Sequence, residues 1–450
     1  MHPTTPALRQ SLEQLLTTQP QVRRLVIAYS GGLDSHVLLH LLATHRAAWA
    51  KRTLAAVYID HGWHHASAAW GEHCAQICHD LDIPFRALQI TAPPAAGESR
   101  EAAARRARYA MLASTLDPGA ALLTAHHQDD QAETLLLQLL RGAGPHGLAA
   151  MPVASRLGPG WLLRPLLEID RAALLSYARA HGLVWIEDAS NTDPVFDRNY
   201  LRHCVLPSLQ RRWPAAARTL ARSARWCADA ATELDQLAAT DLVAAVAARP
   251  EQLRLVALRA LSEQRQRSLL RYWLRTLALP TPDSRQLEQL RHDLLTAASD
   301  RQPWARWPGG EVRRYREVLY AMAPLPPHDR QGNRLWSSES GRYPDLELPG
   351  LGRLRLQPVV GAGICAALLA DSMLTVRFRQ GGERFCPVGR HHSQELKKLL
   401  QDVGIPPWER DRLPLLYQGS TLVAVIGLGV AAQAAASVGE PGWQPSLEPQ

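Results

Sequence analysis

The residues best able to do chemistry fall into a few short runs. The first is Ser30-Gly31-Gly32-Leu33-Asp34-Ser35, set between the apolar runs VIAY and HVLLHLL. Glycines let a backbone approach a phosphate closely, and successive N–H groups can point inward at it. A following helix turns its positive end toward the anion. Ser30 and Ser35 add hydroxyl donors. Asp34 repels phosphate by itself, so it makes sense in such a loop as a holder of Mg2+ against the phosphates. The run lacks the Gly-Lys-Ser/Thr of a Walker loop, since no lysine lies near it, and it is not GxGxxG. A plain strand-to-helix turn capped by Ser or Asp is the alternative.

The second run is His126-His127-Gln128-Asp129-Asp130-Gln131-Ala132-Glu133-Thr134. Asp130 and Glu133 sit three apart, so a helix would put them on one face with the histidines just ahead. Such a cluster can bind Mg2+ or accept protons. Asp130-x-x-Glu133 is equally a capping-box pattern, and spacing alone leaves the two readings even. In EAAARRARY, Glu101–Tyr109, Arg105 and Arg108 lie one turn apart. Two guanidinium forks at that spacing can clamp phosphates, although a solvated helix face fits too. Arg198, Asn199 and Arg202 form a further cluster suited to a phosphate or a base edge. Near the other end, Lys397 and Lys398 are two of only three lysines among 50 basic residues, with Arg377, Arg379, Arg384 and Arg390 close by. They are a candidate RNA phosphate platform. There Ser393 can cap a helix with Leu396, Leu399, Leu400 and Val403 as its apolar stripe, stopped by Gly404 and Pro406.

These runs need a frame. The first 140 residues alternate strand and helix patterns, with strands expected at Val22–Tyr29, Thr53–Asp60, Pro84–Ile90 and Ala120–Ala125. Helices are expected at His36–Ala43, Ala68–Leu81, Glu98–Thr115 and Asp130–Arg141. Repeated β-α units imply a doubly wound parallel sheet covered on both faces, with ligands bound beyond the strands' carboxyl ends where the strand order reverses. Both chemical runs follow expected strands. The expected domains are an α/β nucleotide domain over 20–213, a helical domain over 214–323 without strand signals before about Ser299, a linker over 324–341, and a small α+β domain over 342–438. The tail after Gly439 is expected to be disordered.

The chain has 450 residues, a formal charge of +8 and a pI of about 9.4, which favours a polyanionic partner. Six scattered cysteines read as free thiols of a reducing compartment. No apolar run approaches the ~20 residues of a membrane span. The expectation is a soluble, cytoplasmic protein with no membrane partner.

SGGLDS resembles the signature of the PP-loop, or N-type, ATP pyrophosphatases, which implies an adenine nucleotide alpha hydrolase-like sheet and an enzyme that adenylates its substrate. Taken in order, ARRARY, HHQDDQAET, Arg141–Met151, Arg164–Arg171, Glu187–Pro207 and Arg377–Tyr417 are similar to the tRNA(Ile)-lysidine synthase family, over most of residues 22–210 and 377–430. One departure is Ala149-Ala150-Met151, where many relatives show Gly-Gly-Met or Ser-Gly-Met. The resemblance implies ATP with Mg2+ near Asp34, bound by residues 30–35 with Arg105 and Arg108. It implies catalytic roles for Asp34, His127, Asp130 and Glu133, and tRNA contacts by Arg198, Asn199, Arg202, Arg379, Arg384, Lys397 and Lys398. The implied reaction ligates free L-lysine to C2 of the wobble cytidine in the CAU anticodon of an isoleucine tRNA, through an adenylated cytidine. It yields lysidine, AMP and pyrophosphate, and moves codon reading from AUG to AUA and identity from methionine to isoleucine. The resemblance also allows a homodimer. A tRNA thiolase, a small-molecule ligase such as GMP synthetase and a non-catalytic RNA-binding protein are the competing readings; dependence on free lysine separates them.

Overall fold

A computed structural model describes residues 4–60, 67–90, 100–187, 193–297, 303–338, 343–370 and 372–448. The start of the expected Glu98–Thr115 helix, residues 188–192 of the Glu187–Pro207 run, the end of the helical stretch near Ser299 and residues 339–341 of the expected linker lie outside these. The chain divides into two compact units, Met1–Gln236 and Leu237–Gln450.

In the first unit, helix α1 (Thr4–Thr17) precedes strand β1 (Arg24–Ala28). There follow α2 (Leu33–Thr44), β2 (Thr53–Asp60), α3 (Ser67–Asp80), β3 (Phe85–Gln89), α4 (Arg100–Ser114), β4 (Ala120–Leu123) and α5 (Gln128–Leu140). After the single turn α6 (Pro145–Leu148) come β5 (Ala154–Leu157), β6 (Gly160–Leu163) and α7 (Arg171–Ala180). The six strands form one sheet in the order β3-β2-β1-β4-β6-β5. Every pairing is parallel except β5 with β6. Apolar strands such as RLVIA and AALL suit this frame because a parallel sheet is buried on both faces. Strand order reverses between β1 and β4, whose Ile27 and Leu123 are paired. The loops after these two strands, 29–32 and 124–127, therefore leave the sheet side by side at the switch point.

Helix α2 is apolar on nearly every side and has eight buried residues, so it lies inside the layer and not on it. Helix α3 buries Cys74 and Cys78 against the same core, and burial pushes both thiols up to about 12. The unit closes with α8 (Asp197–Tyr200), a π-helical turn at Leu201–Val205, α9 (Leu206–Arg212) and the long helix α10 (Ala216–Ala245), within which the boundary between the units falls. The departure at Ala149-Ala150-Met151 coincides with strain: Ala150 has φ +53°, a region that favours glycine. It is held beside a clasp in which the buried Gln131 side chain bonds both the N–H and the carbonyl of Met151, each at 2.8 Å.

The second unit has two cores of its own. One gathers α11 (Leu255–Arg259), α12 (Glu263–Thr276) and α13 (Ser284–Thr296) around Trp273. These helices pack with an antiparallel sheet of β7 (Gln252–Arg254), β8 (Trp304–Trp307), β9 (Gly310–Tyr315) and β10 (Val318–Met322). The helical expectation therefore needs amending: β7 lies inside the stretch read as free of strands, and three residues are too short to register a period. The other core surrounds Trp336, Leu354, Leu374 and Leu400. Arg334–Ser337, within the expected linker, is a strand paired with Met373–Arg377. The disordered tail is also corrected. Pro441–Glu448 is a strand that pairs along Gly352–Val360 from Arg353↔Glu448 to Val360↔Pro441. Its Pro and Gly content hid the pattern. No helix among the described residues is long and apolar enough to cross a membrane.

Candidate active site

The glycine run forms the loop from β1 into α2. Gly31 has φ +79°, which a side chain adopts only with strain, and a Cβ there would come within 2.5 Å of Ile186 Cδ1 and 3.0 Å of Cys74 Sγ. The loop is tied down on both sides. Ile186 donates its N–H to the Gly31 carbonyl at 2.9 Å, and Ser35 Oγ donates to the Gly32 carbonyl at 3.0 Å while lying 3.1 Å from Ser30 Oγ. Gly32 is the N-cap of α2 and supplies no side-chain cap. The first amides of a helix have no intrahelical partners, so this end presents uncapped N–H groups with the helix dipole behind them. By contrast α5, α7 and α13 each carry a side-chain cap.

Asp34 sits in the first turn of α2. Its Oδ1 is buried with no hydrogen-bond partner, and its Oδ2 lies 3.5 Å from His127 Nε2. An orphaned carboxylate oxygen beside uncapped amides is the donor a nucleotide-borne Mg2+ needs, because Mg2+ takes one or two carboxylates plus phosphates and keeps its waters. Among the described residues no three His, Cys, Asp or Glu side chains form a protein-only cage. The residues present thus fit Mg2+ that arrives with phosphate.

His127 ends the loop after β4 and caps α5. Its Nδ1 accepts the Asp129 N–H at 3.3 Å, and its own N–H donates to Asp130 Oδ2 at 3.0 Å. The capping box is therefore His127/Asp130, one turn before the Asp130/Glu133 frame suggested by spacing. With Nδ1 accepting, the proton of the neutral ring sits on Nε2, aimed at Asp34 and Asp130. Burial works against the charged imidazole, but the contact with Asp34 and the Asp130 charge outweigh it and raise the His127 pKa above its ordinary value.

Asp130 and the fully buried Glu133 face two arginines, as sequence proximity alone could not show. Arg198 Nε reaches Glu133 Oε2 at 2.7 Å and its Nη2 reaches Asp130 Oδ1 at 3.0 Å. Arg202, on the π turn, sends Nε to Glu133 Oε1 at 2.6 Å and Nη2 to Asp130 Oδ1 at 2.9 Å. Burial favours the neutral form of Asp130, yet His127, Arg198, His126 and Arg202 hold its carboxyl down at about 2. Arg198 and Arg202, read as suited to a phosphate or a base edge, are engaged with carboxylates, and the Asn199 amide donates to the Asp193 carbonyl at 2.9 Å.

The neighbouring His126 is neutral: burial pushes its pKa down to about 3, and Thr124 Oγ1 lies 2.8 Å from its Nδ1. The charges of Arg164 and Arg105 also act on it, which brings α4 to the same mouth. The guanidiniums of Arg105 and Arg108 both lie over the Tyr109 ring, at 5.2 and 5.7 Å. Three residues of this site had no assigned role in the sequence. Arg164 is 7% exposed with an unpartnered Nε. Ile186 backs the loop. Asp129 is partly exposed, has no salt bridge to an arginine among the described residues, and has its pKa raised chiefly by burial. An Asp-Asp pair opening a helix was the available signal.

The remaining candidates belong to the second unit. Arg379 Nη1 donates to Asp411 Oδ1 at 3.2 Å, and Arg384 Nη2 donates to the Ser393 carbonyl at 2.6 Å. Lys397 and Lys398 are exposed on the helix Leu396–Asp402 while Leu396, Leu399 and Leu400 are buried. That helix is entered from Glu395 without a side-chain cap, so Ser393 is not its cap, and Val403 is 59% exposed and falls outside the stripe.

Family models match three stretches of the chain: a PP-loop domain over residues 4–209, a TilS substrate binding domain over 253–320 and a TilS substrate C-terminal domain over 374–447. The tRNA(Ile)-lysidine synthase of Coxiella burnetii is 43% identical over 441 residues, 98% of this chain and 96% of that one. That of Methylococcus capsulatus is 44% identical over 402 residues, 89% of this chain and 90% of its own. The tRNA(Ile)-lysidine synthase of Alkalilimnicola ehrlichii is 44% identical over 434 residues, covering 96% and 95%.

Proposed function

The chain belongs to the tRNA(Ile)-lysidine synthase family, and from that premise we propose that its glycine loop holds the ATP phosphates while the reacting cytidine and free lysine meet between α2 and α5. It is a ligase that uses ATP and forms lysidine on tRNA(Ile). The observation that carries the assignment of the site is the uncapped N-terminus of α2 with Asp34 Oδ1 unpartnered beside it.

Bound Mg2+ would supply charge neutralisation at the phosphates, held there by Asp34. The amides of residues 31–34 and the Ser30 hydroxyl orient the triphosphate, with Ser35 bracing the loop through its bond to the Gly32 carbonyl and Arg105 and Arg108 at the outer side. His127 acts as a positioning residue: its Nε2–H aims Asp34 toward the phosphates. Oxygen O2 of the wobble cytidine attacks the α-phosphorus and pyrophosphate leaves. The lysine ε-amine then forms a bond to C2 as the C2–O bond to AMP breaks. The cytidine must be unstacked from its loop for either step.

The amine must be neutral to attack. At a pKa near ~10.4, removing its proton at neutral pH costs about 4–5 kcal/mol, so a nearby acceptor matters. Asp130, held at about 2, is too weak a base, and both oxygens of Glu133 already take guanidinium N–H groups. His126, at about 3, is also too weak. Asp129 meets the demand better, with its raised pKa and partial exposure. The cluster of Asp130, Glu133, Arg198 and Arg202 holds α5 against α8 and the turn after it, and so fixes one wall of the site. Lys397 and Lys398 stand free of the core to meet tRNA phosphate. The deciding experiment supplies labelled lysine, ATP and bulk tRNA. Label should enter tRNA with stoichiometric AMP and pyrophosphate for the natural chain and not for Asp34→Ala. Lysine-independent product, or incorporation by Asp34→Ala at the natural rate, overturns the reading.

A further inference from the structure

The stretch 208–228 holds five arginines and neither Asp nor Glu. It runs through α9 into α10, whose two faces differ sharply. Ala217, Leu220 and Ala224 turn inward. Ala217 and Leu220 pack with Leu206 and Leu209 of α9 and with Ala132 and Leu136 of α5. Helix α5 is the helix that carries Asp130 and Glu133, so α10 is braced directly on the scaffold of the site. The opposite face shows Arg218, Arg222, Arg225 and Trp226, all exposed, and ends at Asp229 one turn on. Helical spacing of three and four residues sets the three arginines in one row. The Arg222 guanidinium lies over the Trp226 ring at 5.3 Å, and Arg212 lies over Trp213 at 5.7 Å. Both indoles are 57% exposed. The row's one ion pair among the described residues, Arg225 with Glu168 at 3.7 Å, is between exposed groups and is weak.

We propose that this face of α10 is a docking surface for the sugar–phosphate backbone of the RNA substrate, on the strand that flanks the reacting nucleotide. The proposal rests on the tRNA reading above and names where the RNA leaves the site. A row of arginines with no interleaved acid complements a polyanion, and exposed tryptophans give unpaired bases a ring to stack on. Bracing on α5 fixes the row at about one helix diameter from the carboxylate–guanidinium cluster, about 8–10 Å between axes. A strand held here enters the mouth between α2 and α5 at a set distance.

The test measures binding of an isoleucine tRNA transcript across a KCl series for the natural chain and for the combined variant Arg218→Gln, Arg222→Gln, Arg225→Gln. The dissociation constant should rise tenfold or more, and the slope of log K against log[KCl] should fall by about two to three. The KM for tRNA should rise while kcat at saturating tRNA stays within about twofold and ATP binding is unchanged, which shows that the fold is intact. Arg→Lys at the same three positions should restore the slope, and Trp226→Ala should weaken binding several-fold without altering it. An unchanged dissociation constant and slope in the Gln variant overturn the proposal. If the natural chain binds tRNA through this face yet forms no lysidine, the reaction assigned above fails and the surface stands. If it forms lysidine while the Gln variant binds normally, only the surface fails.

Discussion

At the N-terminus of α2 the amides have no side-chain cap and Asp34 Oδ1 has no partner. At the N-terminus of α5, His127 and Asp130 close the cap and both oxygens of Glu133 hold guanidinium N–H groups. The two helix ends flank one mouth and share the His127–Asp34 contact, yet one is an unfilled set of donors and the other a saturated network. Unfilled groups are where a ligand gains most, since it satisfies what folding left unsatisfied. A saturated network instead holds geometry, and breaking it exposes buried charge.

The sharpest way to break the comparison is at Asp34. Asp34→Ala should lower lysidine formation about 10³-fold or more, with the urea midpoint barely changed, because its carboxylate acts on the bound phosphates. Loss of fold instead of activity would place Asp34 in the saturated class. Glu133→Gln should do the reverse and cost roughly 3 kcal/mol of stability in urea unfolding, since an amide N–H then faces two guanidiniums. The same network carries a pH signature. The Asp130 carboxyl is depressed to about 2, so its contribution is fully present above the ordinary carboxylate range near ~4 and is lost as pH falls through about 2. Urea midpoints between pH 5 and 2 should show that decline, and it should shrink in Asp130→Asn.

How much of this contrast could be read from residue order differs between the two ends. The loop was legible because six adjacent positions carry it, and the strand–loop–helix frame followed from apolar period. The partners of Asp130 and Glu133 were not, since Arg198 and Arg202 lie more than sixty positions away and a π turn sets their orientation. Pattern marked them as basic and suggested a phosphate or a base edge; packing pairs them with carboxylates. In the second unit the three-residue strand β7 escaped notice because period two needs length to emerge, and Pro and Gly masked the eight-residue final strand.

Two smaller effects sharpen the picture. Asp129→Asn should lower kcat roughly 10- to 100-fold at neutral pH, with much of the loss recovered near pH 9–10 where lysine deprotonates unaided. A loss that stays constant with pH would remove Asp129 from proton transfer. Ala150→Gly should raise stability by about 0.5–1 kcal/mol in thermal or urea unfolding, because relief at φ +53° slightly exceeds glycine's entropic cost.

The hydrogen bond from Ile186 N–H to the Gly31 carbonyl fastens the loop proposed to hold the phosphates to a residue more than 150 positions further along the chain. Nucleotide that stiffens this loop should therefore also stiffen the backbone at Ile186. Loading with ATP should slow amide exchange at Ile186 as well as in the loop itself, so that a residue far along the chain reports the filling of the first substrate's seat.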